Sequence, residues 1–176
     1  MKTMKNYDIP FRGLKEGLHE FDYIVDDKFF EYFEGEIRKG KLNVKVLLQK
    51  NSMNMELHFL INGLVEVTCD RCIDEFMLPV ECSYNLYAKF DEEEYEEDDD
   101  IIVLPHEASS LNIARYIYEF IHLSLPLQRF HPEDENGQST CDQEMINKIK
   151  EHQQRQSNGN DDPRWDKLKN ILKNNN

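Results

Sequence analysis

The sequence predicts an α+β fold: an antiparallel sheet of about five or six strands, open or curled towards a barrel, with a short helix near its start, a covering helix and small C-terminal helices. Hydrophobic residues alternate with polar ones over much of residues 17–90, as they do in strands that bury one face. After residue 110 they recur at helical spacing instead. The length of 176 residues is that of one domain with appendages.

The first predicted elements are a strand and a short helix. Residues 17–25 alternate between apolar and polar positions, which indicates a strand. Asp26 or Asp27 then caps a short helix, and Gly35 and Gly40 bracket its end. The apolar residues at one helical face are predicted to join the core: Phe29, Phe30, Phe33 and Ile37.

Two alternating runs joined by residues 50–52 give the clearest hairpin signal in the chain. A further strand pair brackets a cysteine motif and extends to residue 90. Cys82 falls on the apolar face of this pair, which predicts a buried and inert thiol. The inward residues of the hairpin are predicted to be Leu42, Val44, Val46, Leu48, Met53, Met55, Leu57, Phe59 and Ile61.

Helices follow the predicted sheet. Residues 101–105 indicate a short edge strand. Ser109 or Ser110 is predicted to cap a helix over residues 111–124, whose apolar stripe covers the sheet. A second helix is predicted over residues 142–152.

The predicted organisation has four parts. Residues 1–90 form a mainly β domain, residues 91–100 an acidic disordered loop, and residues 101–152 a helical cover that completes the same domain. Residues 153–176 form a linker and a short helix that begins at Pro163. This last helix is too short to be stable alone, so it is expected to dock on this chain or on a partner.

The acidic run carries most of the charge imbalance. Nine of the ten residues 91–100 are Asp or Glu, and the whole chain has a net charge of −14. Such a block is either a solvated, disordered loop or a mimic of phosphate groups that holds a basic protein. Bulk charge will not draw this chain to nucleic acid, so RNA contact needs a local basic patch.

The composition also narrows the class of protein. The N-terminus lacks the apolar stretch of a signal peptide and no run is long enough for a membrane span, so we expect a soluble, cytoplasmic protein without a membrane partner. The sequence contains no Gly-rich phosphate loop and no G-x-S-x-G motif. We therefore expect a protein that is not an enzyme and has no small-molecule substrate.

The C-x₂-C motif at residues 69–72 carries the chemistry. Its spacing turns two sulfurs towards one tetrahedral metal, and a structural zinc needs two further ligands. Cys141 lies in a polar loop, and His131 lies ten residues before it. Cys69, Cys72, His131 and Cys141 form the candidate zinc site, which would tie the C-terminal segment to the sheet. The alternative is a thiol-redox or metal-handling protein that uses Cys69 and Cys72, although a redox dithiol normally opens a helix in a βαβ unit.

Three segments resemble the YceD family, the large ribosomal RNA subunit accumulation proteins. They are residues 65–72 with a C-x-R-C pattern, residues 111–131 with His131 five residues after Pro126, and the tail at residues 162–169. The resemblance implies support of large-subunit (23S) ribosomal RNA accumulation or processing, in a family that is not established as enzymes. Some members carry two further cysteines near the C-terminus, which this sequence lacks.

The resemblance implies two classes of partner, large-subunit ribosomal RNA precursors or a basic large-subunit ribosomal protein. An acidic chain is suited to chaperone a basic protein, with the run at residues 91–100 as a decoy for RNA. Direct RNA contact needs a basic face instead. The candidate residues for that face, which are otherwise a solvated sheet surface, are Arg38, Lys39, Lys41, Lys45 and Arg71.

Overall fold

The computed structural model describes residues 4–33, 35–91 and 101–157, with the side chains of residues 154–157 left out. The strands are Asp8–Ile9 (β1), Gly17–Val25 (β2), Gly40–Lys50 (β3), Asn54–Thr68 (β4), Glu75–Phe90 (β5), Ile101–Leu104 (β6) and Leu111–Asn112 (β7). The α-helices are Asp27–Tyr32 (α1), Ala114–Leu123 (α2) and Gln143–Ser157 (α3). The mixture of helices and strands confirms the α+β class.

The chain divides into two compact units. The first unit contains the residues up to Thr68 and those from Glu75 to Arg129, and the second contains Cys69–Asp74 and the residues from Phe130 onward. The four-part organisation expected from composition stays a prediction. The acidic loop beyond Asp91, and the joint and last helix from residue 158 onward, lie outside the described residues.

The main sheet has five strands in the order β2-β3-β4-β5-β6. β2 to β5 are antiparallel neighbours, as expected, but β6 pairs with β5 in parallel. Hydrophobic alternation shows which face of a strand is buried but not in which direction a four-residue strand pairs, so the sequence did not indicate the parallel pairing. The sheet is open, with β2 and β6 at its edges, so it does not close into a barrel, and the expected antiparallel pairing is confirmed for β2 to β5 but wrong for β6.

One face of the sheet forms the core of the first unit. The alternation expected for the β3–β4 hairpin is confirmed, because its inward side chains are at most 1% exposed. Met53 is the exception: it lies in the turn between the strands, where its side chain is 79% exposed. Cys82 faces the core side of β5 but is only half-buried.

The short helix α1 is capped by Asp26, whose carboxylate accepts a hydrogen bond from the backbone N–H of Phe29 at 3.3 Å. The other candidate cap, Asp27, accepts the N–H of Gly40 instead. The helix ends at Tyr32. Ile37 is buried as predicted, but it lies in the loop after the helix and not on the helical face.

The covering helix α2 begins later than expected. Leu111 and Asn112 pair with β1 as a short strand, and the side chain of Asn112 accepts the N–H of Ala114, so neither Ser109 nor Ser110 caps the helix. Phe120 packs against Phe59 and Tyr84 of the sheet, with ring centroids 5.1 and 4.6 Å apart. The covering role predicted for this helix is confirmed.

Helix α3 belongs to the second unit and is longer than the predicted helix over residues 142–152. The carboxylate of Asp142 accepts the N–H of Glu144 at 2.8 Å and so caps its first turn. Among the helices that the structure describes, none combines the length and apolar character that a bilayer crossing requires.

Candidate metal centre

The cysteine motif forms a tight turn that connects β4 to β5. The N–H of Cys69 donates to the carbonyl of Asp74 at 2.9 Å, and the N–H of Ile73 donates to the carbonyl of Cys69 at 3.0 Å. The backbone N–H of Arg71 lies 3.4 Å from the sulfur of Cys69. Ile73 takes a left-handed conformation, with φ of 66°, which is rare for a β-branched residue. We call residues 69–74 the knuckle.

A hairpin loop in the same unit carries the other two candidate ligands. Glu133 and Ser139 form an antiparallel bridge, so the chain folds back between His131 and Cys141. The carboxylate of Asp134 accepts two backbone N–H groups of the loop, at 2.8 and 2.9 Å. The hydroxyl of Ser139 accepts the N–H of Cys141. These bonds set the distance between the two ligands.

The four side chains converge in space. One ligand atom from each of Cys69, Cys72, His131 and Cys141 lies within 4.8 Å of the others, and the three thiols are buried. The sulfurs of Cys69 and Cys141 are 3.8 Å apart, and the sulfur of Cys72 is 3.4 Å from Nδ1 of His131. A tetrahedral zinc with Zn–S bonds of about 2.3 Å separates two sulfurs by about 3.8 Å. The spacing of this Cys₃His cluster therefore fits a tetrahedral metal ion.

The electrostatics of the cluster favour a thiolate at Cys69. Burial acts to raise the pKa of this thiol, but backbone N–H groups of Cys72, Arg71 and His131 and the side chain of His131 oppose that effect. Together they lower the pKa of Cys69 to about 6. Since metals bind thiolates, this residue is prepared as a ligand near neutral pH.

Cys72 behaves in the opposite way. Burial raises the pKa of its thiol, and the neighbouring thiols of Cys69 and Cys141 raise it further, against backbone N–H groups of Asp74 and Asp142. Three thiolates cannot share this small volume without a compensating positive charge. A divalent cation supplies that charge, which is why metal binding and thiol deprotonation are coupled.

Two of the residues predicted to contact RNA form ion pairs with carboxylates of this chain. Lys39 forms an ion pair with Glu66 at 2.8 Å. Lys45 lies between Glu20 and Asp22, at 3.2 and 3.4 Å. These pairs neutralise the charge that phosphate contacts would need.

The other three predicted contacts lie in different surroundings. Arg38 and Lys41 are exposed and form no ion pair with the residues that the structure describes. Arg71 belongs to the second unit, where its guanidinium lies 4.9 Å from the ring centroid of Phe130. Sequence reasoning missed this cation–π contact, although an aromatic residue directly before the candidate ligand His131 was a visible signal. A role for these residues in RNA binding stays a prediction.

Comparison with known families assigns most of the chain to a described family. A family model described as the large ribosomal RNA subunit accumulation protein YceD matches residues 57–172, which is more than half of the chain and includes all four residues of the Cys₃His cluster. This match confirms the resemblance seen in the sequence. No curated protein and no solved structure gives a significant match.

Proposed function

The chain belongs to the YceD family, and from this premise we propose that it supports the accumulation or processing of large-subunit (23S) ribosomal RNA as a binding protein, not as an enzyme. The observation that carries the proposal is the family match over residues 57–172. The Cys₃His cluster supports the non-catalytic part, because four protein ligands close a tetrahedral site, whereas catalytic zinc sites keep one position open.

The metal that best suits the cluster is zinc. Three thiolates and one imidazole are a common donor set for structural zinc. Magnesium, calcium and manganese prefer carboxylate, carbonyl and water oxygens instead. The ion would be held by Cys69, Cys72, Cys141 and Nδ1 of His131. It would link the knuckle to the hairpin loop within the second unit.

The partner is either pre-ribosomal RNA or a basic ribosomal protein. The net charge of −14 complements a basic protein and accelerates its encounter. RNA contact would instead use a cleft of about 670 Å³ in the first unit, beside the exposed side chains of Ile24 and Met77. Three lysines of this cleft are matched by three carboxylates, so it carries no net positive charge: Lys28, Lys39 and Lys41 against Asp26, Asp27 and Glu66.

A complementation experiment tests the function. Deletion of the gene in its own cells should reduce mature large-subunit ribosomal RNA, and the wild-type chain should restore it. The double variant Cys69→Ser and Cys72→Ser should fail to restore it, whereas Cys82→Ser, which lies outside the cluster, should succeed. Normal large-subunit RNA in the deletion strain would contradict the proposal.

Co-purification tests the binding mechanism. The tagged protein is isolated from its own cells at low and high salt, and the bound RNA and proteins are identified. Precursor RNA that is lost at high salt would favour phosphate contacts. A basic ribosomal protein without RNA would favour the chaperone mechanism.

A second candidate function is thiol–disulfide chemistry. The sequence predicted Cys69 and Cys72 as the residues of this function. The observation that favours it involves a different pair, because the pKa of Cys69 is lowered to about 6 and its sulfur lies 3.8 Å from that of Cys141. Oxidation of the two thiols to a disulfide would release two protons and two electrons to an acceptor disulfide. A purified protein that carries stoichiometric zinc and exchanges no disulfide with glutathione would exclude this function.

A further inference from the structure

Strand β2 forms a nine-residue edge of the main sheet. It pairs with β3 along its whole length without a bulge, from Gly17 opposite Lys50 to Val25 opposite Leu42. Its other side meets no strand among the residues that the structure describes. The edge is therefore a row of backbone groups available for pairing.

The register of the sheet determines which backbone groups point outward. The N–H of Glu66 donates to the carbonyl of Lys39, so odd-numbered residues of β3 bond to β4 and even-numbered residues bond to β2. By the β2–β3 register, the odd-numbered residues of β2 are the ones that bond to β3. The N–H and carbonyl groups of Leu18, Glu20 and Asp22 consequently point away from the sheet.

One side-chain contact agrees with this orientation. The hydroxyl of Tyr7 donates to the carbonyl of Ile24 at 3.0 Å, from the outer side of β2. That bond closes one end of the edge. The stretch from Leu18 to Asp22 keeps its outward groups without a partner among residues 4–33, 35–91 and 101–157.

Of the usual protections against strand pairing, the stretch from Leu18 to Asp22 carries only charged side chains, those of Glu20 and Asp22. Proteins otherwise guard edge strands with proline, lysine, bulges or very short strands, because an unguarded edge recruits another strand. β2 has no proline, no lysine and no bulge, and it is longer than most strands. This combination is typical of a site for β-strand addition.

The charge on the outer face indicates the partner. Glu20 and Asp22 are 57% and 74% exposed, and both share the single cation of Lys45. One negative charge is therefore left in excess at the edge. The side chains of an added strand would lie about 5 Å from these carboxylates, so lysine or arginine at alternate positions would pair with them.

The same charges disfavour a second copy of this chain. An antiparallel pairing of two β2 strands centred on this stretch sets at least one of Glu20 and Asp22 opposite an acidic residue of the other copy, which is repulsive. On the inner face, Phe21 and Tyr23 are only half-buried and pack against the core. The remaining positions of an added strand would meet these rings and would favour apolar residues.

We propose that the open edge of β2 binds, by β-strand addition, an extended segment of another protein that alternates basic and apolar residues. The inference rests on the proposed function only in taking a basic ribosomal protein as the source of that segment. The backbone groups of Leu18, Glu20 and Asp22 supply the affinity, and the two carboxylates supply the preference for a basic partner.

A peptide experiment tests the proposal. A nine-residue peptide that alternates lysine and valine, equal in length to β2, is titrated into the full chain. Hydrogen exchange should slow at the amides of Leu18, Glu20 and Asp22. The matched peptide with glutamate in place of lysine should not bind. Protection at another strand, or binding of both peptides, would overturn the proposal.

Matched variants separate local pairing from bulk charge. The double variant Glu20→Gln and Asp22→Asn should weaken peptide binding about tenfold. The control variant Glu75→Gln and Glu81→Gln removes the same charge from exposed positions of β5 and should leave binding unchanged. Equal weakening by the two variants would show attraction by net charge alone and would overturn the proposal.

A backbone variant tests the pairing itself. Glu20→Pro removes an outward N–H, which an edge strand tolerates, and should abolish peptide binding while the thermal transition is retained. If this variant unfolds, a peptide N-methylated at alternate residues replaces it, because methylation blocks the same ladder. Undiminished binding of the methylated peptide, or binding of a single-stranded RNA to this edge instead, would overturn the proposal.

The experiments distinguish a failure of the proposal for the open edge of β2 from a failure of the proposed function. If the lysine–valine peptide does not bind but gene deletion still lowers large-subunit ribosomal RNA, the function stands and the edge proposal falls. If the peptide protects β2 while the deletion leaves ribosomal RNA unchanged, the edge stands and the function falls.

Discussion

Tyr7 attaches the N-terminal turn to the core of the first unit. Its ring lies 5.5 Å from the ring of Tyr23 and 5.0 Å from that of Phe29, and its hydroxyl donates to the carbonyl of Ile24. Burial, and then the charge of Asp26, raise the pKa of Tyr7 to about 12. The phenol therefore holds its proton while it is folded.

This raised pKa predicts a loss of stability at high pH. In the unfolded chain Tyr7 has the ordinary tyrosine pKa of about 10, whereas in the folded protein its pKa is about 12. The contribution is complete below pH 10 and declines as the pH rises from 10 towards 12. Urea unfolding across this range should show the decline, and Tyr7→Phe should make it shallower. Tyrosinate absorbance of folded Tyr7 that appears near pH 10 would contradict the prediction.

The knuckle contains one strained residue. Ile73 has a φ of 66° and a side chain that is 68% exposed. Its left-handed backbone is therefore strained, and burial of the side chain does little to offset that strain. Ile73→Gly should stabilise the metal-free protein by about 1 kcal/mol, because glycine accepts this conformation without strain. Ile24→Gly is the control: Ile24 is 67% exposed in an extended strand, and its replacement should destabilise. Destabilisation by both variants would argue against strain at Ile73.

At the scale of elements, the strands could be predicted because their alternation is local. Burial on one face repeats every second residue from Leu42 to Leu48 and again from Met55 to Ile61, so the sequence itself indicates which side of each strand is inward. The start of α2 could not be predicted in the same way. Asn112 pairs in a short strand with Asp8, which is far away in sequence, and its side-chain oxygen accepts the N–H of Ala114.

The four residues of the Cys₃His cluster could be predicted from the sequence, but the contacts that hold them in place could not. The C-x₂-C spacing, the polar loop around Cys141 and the position of His131 ten residues before it are enough to select the four residues of the cluster. The loop bonds of Asp134 and the contact of Arg71 with Phe130 depend on tertiary geometry that spacing does not encode.

Metal removal should loosen the second unit. The purified chain is expected to bind one zinc ion, and a chelator should accelerate amide exchange in the knuckle and in residues 130–141 by at least about 100-fold, equivalent to about 2.7 kcal/mol. Cys69→Ser should behave like the chelated protein. Cys82→Ser should behave like the wild type, because Cys82 is outside the cluster. Unchanged exchange after verified removal of zinc would contradict a structural role.

At the scale of the whole molecule, two kinds of electrostatics act together. The net charge of −14 reaches partners at long range and is screened by salt, whereas the excess charge at Glu20 and Asp22 acts only on a strand already in place. Composition revealed the first kind, since it is a sum over residues. It could not reveal the second, because which strand forms the open edge depends on the order of strands in the sheet.

Neutralising residues 91–100 should separate the two effects. Replacement of their nine acidic residues by serine and glycine changes the net charge from −14 to −5. Association of the lysine–valine peptide should become slower and less sensitive to salt, since steering depends on the long-range field. Its dissociation rate and the protection of β2 should stay the same, because the contacts at the edge are unaltered. Stopped-flow measurements across a range of salt concentrations would provide both rates, and a faster dissociation would mean that the acidic run itself contacts the bound segment.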